Sequence, residues 1–305
     1  MNPVLEDIYR TGKCVDLAGR ERKVTGAVPR EDALILQEMV RFVKAKTTLE
    51  TGVAFGLSTL AICEALLKDG AEAGTVPGSR AGPREGTVPV SARRVADVSP
   101  ALDARDSPRF RPKHYGVDPE QSTAVGGAAL ANLKRAGLDS VFELLEGPSH
   151  LMLPRLVEKG VVLDLAFIDG WHTFDYTLLD FFYIDKMLRP GGVVLLHDRS
   201  WPSKQKVIRF IRTHRRYKEL PVRPRESGDR PSARGESGTA TVCLGGKRWQ
   251  SQTLKWVRRV VAAKWHWLRG APFGIVMSAI ANRPEIAAFL KLESFEPDHR
   301  FFRNF

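Results

Sequence analysis

Apolar positions along this chain follow two alternating rhythms. Over residues 31–46, Ala33, Leu34, Leu36, Met39, Val40 and Val43 form a stripe at helical spacing. A short strand at 48–51 then leads through a turn into a second helix at 57–67. Further strands are predicted at 114–117, 142–146, 163–168 and 193–196, with helices over 122–136, 173–188 and 204–215. Residues 217–222 and 240–244 read as two last strands. Short apolar strands separated by helices imply a parallel sheet buried on both faces, the α/β doubly wound class.

Two stretches break the rhythm, at about 74–112 and 221–238. Both are rich in Gly, Pro, Ser and Arg and poor in large apolar residues, so neither can bury enough surface to order itself. They share short words: Pro83-Arg84-Glu85 returns as Pro224-Arg225-Glu226, and Ser91-Ala92-Arg93 as Ser232-Ala233-Arg234. They are read as disordered insertions, which cost little closure entropy in a surface loop.

Composition narrows the class further. The 305 residues are 43% hydrophobic, as in a globular protein. Cys14, Cys63 and Cys243 are scattered and odd in number, against a disulfide framework or a zinc site, and fit a reducing, cytoplasmic setting. The first ten residues are polar and carry Glu6 and Asp7, unlike a signal peptide. No apolar run reaches the roughly 20 residues that a membrane span needs. The net charge of +12 is spread over several segments and predicts no specific nucleic-acid partner.

Chemistry gathers at the predicted strand ends. Leu49-Glu50-Thr51-Gly52-Val53-Ala54-Phe55-Gly56-Leu57-Ser58-Thr59 takes a strand through a glycine-bearing turn into a helix, where backbone approaches a ligand closely. Its GxxxG spacing differs from the GxGxxG of dinucleotide sites, which counts against a nicotinamide-dependent oxidoreductase. Tyr115-Gly116-Val117-Asp118-Pro119 ends the next strand on an acid able to hold a ribose diol. Asp169 and His172 follow the strand at 163–168, and His197 and Asp198 follow the one at 193–196. If those strands are neighbours, two Asp and two His meet over one crevice. Such a set binds a divalent cation or supplies a general base.

Taken in order, these segments, with Phe167-Ile168-Asp169-Gly170-Trp171-His172 and Leu188-Arg189-Pro190-Gly191-Gly192, resemble the class I S-adenosylmethionine-dependent methyltransferases. The D-G-x-H subgroup, similar to small-molecule O-methyltransferases of the catechol and caffeoyl-CoA type, is the nearest in layout. The resemblance covers about 31–244, less the insertions. It implies a Rossmann-like, seven-stranded, mostly parallel sheet with a terminal antiparallel strand. It also implies S-adenosylmethionine as cofactor, with Glu50, Gly52, Gly56 and Ser58 at its methionine end, Asp118 on the ribose, and Gly147 and Ser149 by the adenine. Asp169 would touch both cofactor and acceptor, and His172 and His197 would be the catalytic histidines. In metal-dependent relatives an Asp and an Asp-Asn pair bind magnesium. Asp169 and Asp198 match two of these positions, but Arg199 replaces the Asn, which leaves Mg2+ or another divalent cation in doubt.

The domain plan is a helical cap at 1–46, the methyltransferase domain at 47–246 and a basic, aromatic, helical tail at 247–305. In the tail, Leu254, Val257, Val261, Trp265 and Leu268 repeat at helical spacing amid Lys and Arg. This stripe suits packing on the domain, on a second copy in a homo-dimer, or on an anionic inner membrane face. Residues 272–281 and 284–292 read as further helical pieces, each opened by a proline. The expected activity is methylation of a small-molecule or sugar hydroxyl. The contrasting expectation is a catalytically silent scaffold that acts through its tail.

Overall fold

The computed structural model describes residues 1–72, 111–222 and 284–304, except 299 and 302. The expected insertions lie almost wholly outside the described residues, as do the strand at 240–244 and the helical stripe at 247–269.

The N-terminal segment is more than a helical cap. Helix α1 (Pro3–Thr11) starts where the Asn2 side chain accepts from the Val4 N–H, and stops at Gly12, φ +67°. A small antiparallel hairpin follows, β1 (Lys13–Val15) and β2 (Glu21–Lys23). Asp16 fixes it by accepting from the Ala18 and Arg20 amides and from the Arg20 and Arg22 guanidiniums. Helix α2 (Arg30–Phe42) then lays its apolar stripe on the domain.

The large sheet contains β3 (Thr47–Thr51), β4 (Lys113–Asp118), β5 (Phe142–Glu146), β6 (Leu163–Ile168), β7 (Leu188–Leu196), β8 (Tyr217–Leu220) and β9 (Ala287–Lys291). Their order across the sheet is β5-β4-β3-β6-β7-β9-β8. The first five are parallel, and β9 runs antiparallel to both neighbours. The expected Rossmann-like sheet of seven strands, mostly parallel, is therefore present. Helices α2, α3 (Leu57–Glu72) and α4 (Ala128–Ala136) cover one face; α5 (Ser149–Glu158), α6 (Phe174–Met187) and α7 (Pro202–His214) cover the other. Strand β6 divides its side chains between the two cores. Leu165 and Phe167 enter one, Ala166 and Ile168 the other, and all are wholly buried.

Several boundaries differ from expectation. Helix α4 begins at Ala128, not at 122, because Gly126 and Gly127 hold left-handed backbone just before it. Helix α5 was not anticipated, and it carries Pro154 inside it. Strand β7 starts at Leu188 and absorbs the predicted turn at 189–192 as an irregular stretch beside β6.

The largest correction concerns residues 284–292, expected to be helical. They contain β9, which takes the sixth position in the sheet, between β7 and β8. An Ile-Ala-Ala-Phe-Leu run fits either period, and tertiary context decides it. Ile286 and Ala288 enter one core and Ala287 and Phe289 the other, so a slot between β7 and β8 buries both faces at once. Lys291 closes the strand by donating to the backbone oxygen of Asp185 on α6, 3.0 Å from its carboxylate. Tyr217 and Arg215 bond the same carboxylate. Phe289→Ala should cost about 3–5 kcal/mol in urea unfolding; a loss below about 1 kcal/mol would contradict the burial of this strand. Among the described residues no helix is long and apolar enough to cross a membrane.

Candidate functional site

The order of strands reverses between β3 and β6, and ligands of open α/β sheets bind outside the carboxyl ends at such a switch point. There the backbone is tightly laced. The Gly52 amide donates to the Val117 carbonyl and the Asp169 amide to that of Thr51, each at 2.9 Å. Gly52 sits at φ +85°, and a Cβ on it would lie 2.4 Å from the Asp169 carbonyl oxygen. Only glycine lets β3 and β6 end this close together.

Asp118 braces the turn. Its Oδ2 accepts from the Val53 and Ala54 amides at 2.9 and 2.8 Å, and its Oδ1 from the Glu120 amide at 2.8 Å. Ala54, at φ +45°, is held left-handed by this grip.

Above these ends opens a cleft of about 500 Å³, within the usual range for small-molecule sites. Of the sequence-predicted residues, Gly52, Ser58, Asp118, Ser149, Asp169 and His172 line it. The 26–28 segment, which leads into α2, forms a further wall, and Trp171 and Tyr176 stand at it with ring centroids 6.4 Å apart. Trp171 is 62% exposed, an unusual position for so large an apolar ring.

Five predicted residues stand elsewhere. Glu50 is wholly buried, because successive strand side chains alternate and it is Thr51 that faces the cleft. Glu50 instead accepts from the Thr59 hydroxyl and lies 3.1 Å from His114 Nε2, tying β3 to α3 and β4. Gly56, at φ +81°, allows contact with Ala129 of α4. Gly147 packs over Met152 of α5. His197 and Asp198 sit behind Asp169 and do not line the cleft.

His197 is not placed as a base. Its Nδ1 is 3.1 Å from Asp169 Oδ1, and its Nε2 is 3.2 Å from Asp32 Oδ2 on α2. Burial disfavours charge on the ring, but the Asp169 carboxylate and the bonds to Asp169 and Asp32 outweigh it, raising the pKa to about 10. At neutral pH this is a fixed imidazolium. His172 is the opposite case. Burial lowers its pKa against the pull of Asp169, so it is neutral and able to accept a proton. Its ring lies 5.4 Å from that of Trp201, and the Ser203 hydroxyl donates to its backbone oxygen at 2.6 Å. His172 and Asp198 both adopt left-handed backbone, at φ +57° and +52°, a strain that clusters at functional sites.

Sequence reasoning missed two buried ionisable groups nearby. Asp180 of α6 lines the cleft wall, and burial raises its pKa. Lys204 of α7 is wholly buried, and its Nζ has no hydrogen-bond partner. The signal that could have found Lys204 is a lysine on the apolar side of its helix, with Val207, Ile208 and Ile211.

One ligand atom each from Asp169, His172 and Asp198 lie within 4.8 Å of one another, close enough to hold an ion. Magnesium, however, demands an octahedron of oxygens. Here one donor is an imidazole, Asp169 Oδ1 is engaged by His197, and Arg199 follows Asp198 where an asparagine would supply an oxygen. The residues present do not fit magnesium.

Residues 49–199, from β3 through β7, match a family described as a methyltransferase domain. No curated protein sequence matches the chain. Among solved structures, it is similar to the O-methyltransferase TomG of Streptomyces achromogenes, involved in tomaymycin synthesis and crystallised with S-adenosylmethionine. That likeness is at 18% identity over 64% of this chain and 73% of the other, with a TM-score of 0.45. An O-methyltransferase from Bacillus cereus, in complex with S-adenosylhomocysteine, is 19% identical over 72% and 83%, with a TM-score of 0.48. The family match spans the strand ends that build the cleft, so residues 49–199 are a methyltransferase domain, consistent with the class I S-adenosylmethionine-dependent enzymes.

Proposed function

We propose that this protein transfers a methyl group from S-adenosylmethionine to a hydroxyl of a small-molecule acceptor. The observation that carries the reading is His172, a neutral imidazole on the cleft that also holds the Gly52 turn and Asp118.

The cleft suits the cofactor in size, about 500 Å³, and in lining, with the Gly52 turn, Ser58, Asp118 and Ser149 along it. The Gly52 turn and Ser58 would hold the methionine end, Asp118 with Glu120 the ribose, and Ser149 the adenine. The bound sulfonium supplies an electrophilic methyl group. The protein's own part is to align the acceptor oxygen and exclude water. His172 takes the hydroxyl proton as the oxygen becomes a nucleophile. Asp169, held by the His197 imidazolium, fixes the loop that carries His172. Trp171 and Tyr176 give the cleft an aromatic wall suited to a flat ligand.

Calorimetric titration with S-adenosylmethionine, wild type beside Asp118→Ala, tests the reading. The variant frees the Val53 and Ala54 amides and is expected to weaken binding by about tenfold or more, about 1.4 kcal/mol. Folded wild-type protein that binds no cofactor would end the enzymatic reading and favour a scaffold.

A further inference from the structure

Lys204 poses a problem of charge. A wholly buried ammonium without a hydrogen-bond partner is costly unless opposite charge lies close by. Burial lowers its pKa, and three carboxylates within electrostatic reach, those of Asp169, Asp198 and Asp180, oppose that and favour the charged form. Its neighbour Ser203 pins the start of α7 to the backbone of His172, so the lysine is fixed against the loop after β6.

His197 adds a second fixed cation. Its Nδ1 is 3.1 Å from Asp169 and 3.5 Å from Asp198, and its Nε2 is 3.2 Å from Asp32. An imidazole with carboxylate acceptors at both nitrogens donates from both, and so carries both protons. Two positive charges thus converge on Asp169 and Asp198, the charge that one divalent ion would bring.

We propose that Lys204 and His197 together stand in for a divalent cation at Asp169 and Asp198, so that this methyltransferase site works without bound metal. The ammonium and the imidazolium lie against both carboxylates and hold them in place. His172, whose Nδ1 lies 3.2 Å from Asp198 Oδ2, is thereby left as a base rather than a ligand. The inference rests on the methyl-transfer reading of the cleft, but its readout is independent of any acceptor.

The test uses Mn2+ as a paramagnetic probe with the full chain, followed by electron paramagnetic resonance. Wild-type protein should leave the free Mn2+ signal unchanged. Lys204→Met and Lys204→Gln remove the charge and keep most of the stem. At least one, shown to be folded by circular dichroism, should gain a single Mn2+ site about tenfold or more tighter than any in wild type. Adding Asp198→Asn to that variant should remove it. One bound Mn2+ on wild type that Asp198→Asn removes would overturn the proposal, and so would folded Lys204 variants that gain no site. Cofactor titration of the same samples separates the readings: loss of S-adenosylmethionine binding by wild type would count against the proposed function, whatever the Mn2+ result.

Discussion

Gly52→Ala is expected to abolish measurable cofactor binding and to destabilise the fold by about 2–5 kcal/mol. The added Cβ would lie 2.4 Å from the Asp169 carbonyl oxygen, 2.8 Å from its carbonyl carbon and 3.1 Å from the Gly170 Cα. All three atoms are backbone, so no side chain can swing aside. The φ of +85° adds a conformational cost that a non-glycine residue always meets. Relief requires the ends of β3 and β6 to part, at the switch point where the cofactor turn and the His172 loop meet. Urea unfolding reads the stability and calorimetry the binding. Native stability with unchanged affinity would mean that this close approach is not what shapes the cleft.

His172→Asn should reduce turnover by about 10²–10⁴-fold while cofactor affinity stays within about threefold. Asparagine is the informative replacement because it tolerates left-handed backbone, so the loop at φ +57° keeps its form. The pH profile separates a base from a merely structural residue. Burial lowers the pKa of His172 below 6.5, so the active neutral form persists on the acid side of that value. Turnover of wild type should therefore fall only as pH drops through the lowered pKa, and the variant should lack that limb. A wild-type limb above pH 6.5, or the same limb in both proteins, would remove His172 from its role.

What could be read from sequence, and what could not, divides along physical lines. Strand β6 is legible to the residue, because Leu163–Ile168 is an apolar run buried on both faces; β5, a half-buried edge strand, is legible from its Phe and Leu residues alone. The β1–β2 hairpin went unseen: Lys13-Cys14-Val15 and Glu21-Arg22-Lys23 are short and charged, with no alternation to reveal them. Helix α5 hid behind its internal Pro154. Within the site, Asp118, Asp169 and His172 follow strands and were legible from position alone. Glu50 was assigned to the wrong face, since a one-residue difference along a strand exchanges the cleft for the core. The charge of His197 could not have been foreseen, because it depends on Asp32, 165 positions earlier in the chain. Lys204 is likewise defined by neighbours on three other elements.

Strand β9 also sets an order of assembly. It pairs Val193 with Leu290 and Tyr217 with Lys291, so both of its partners leave the ribosome well before it does. During that interval the hydrogen-bonding edge of β7 at 193–196, wholly apolar, has no partner of its own. Closing so long a loop costs about 4 kcal/mol of chain entropy, a figure that grows only slowly with length. The late strand must recover that cost through burial on two faces in one event. Strand β8 pairs with β9 alone among the described strands, so the sheet beyond β7 can close only once residues 287–291 are in place.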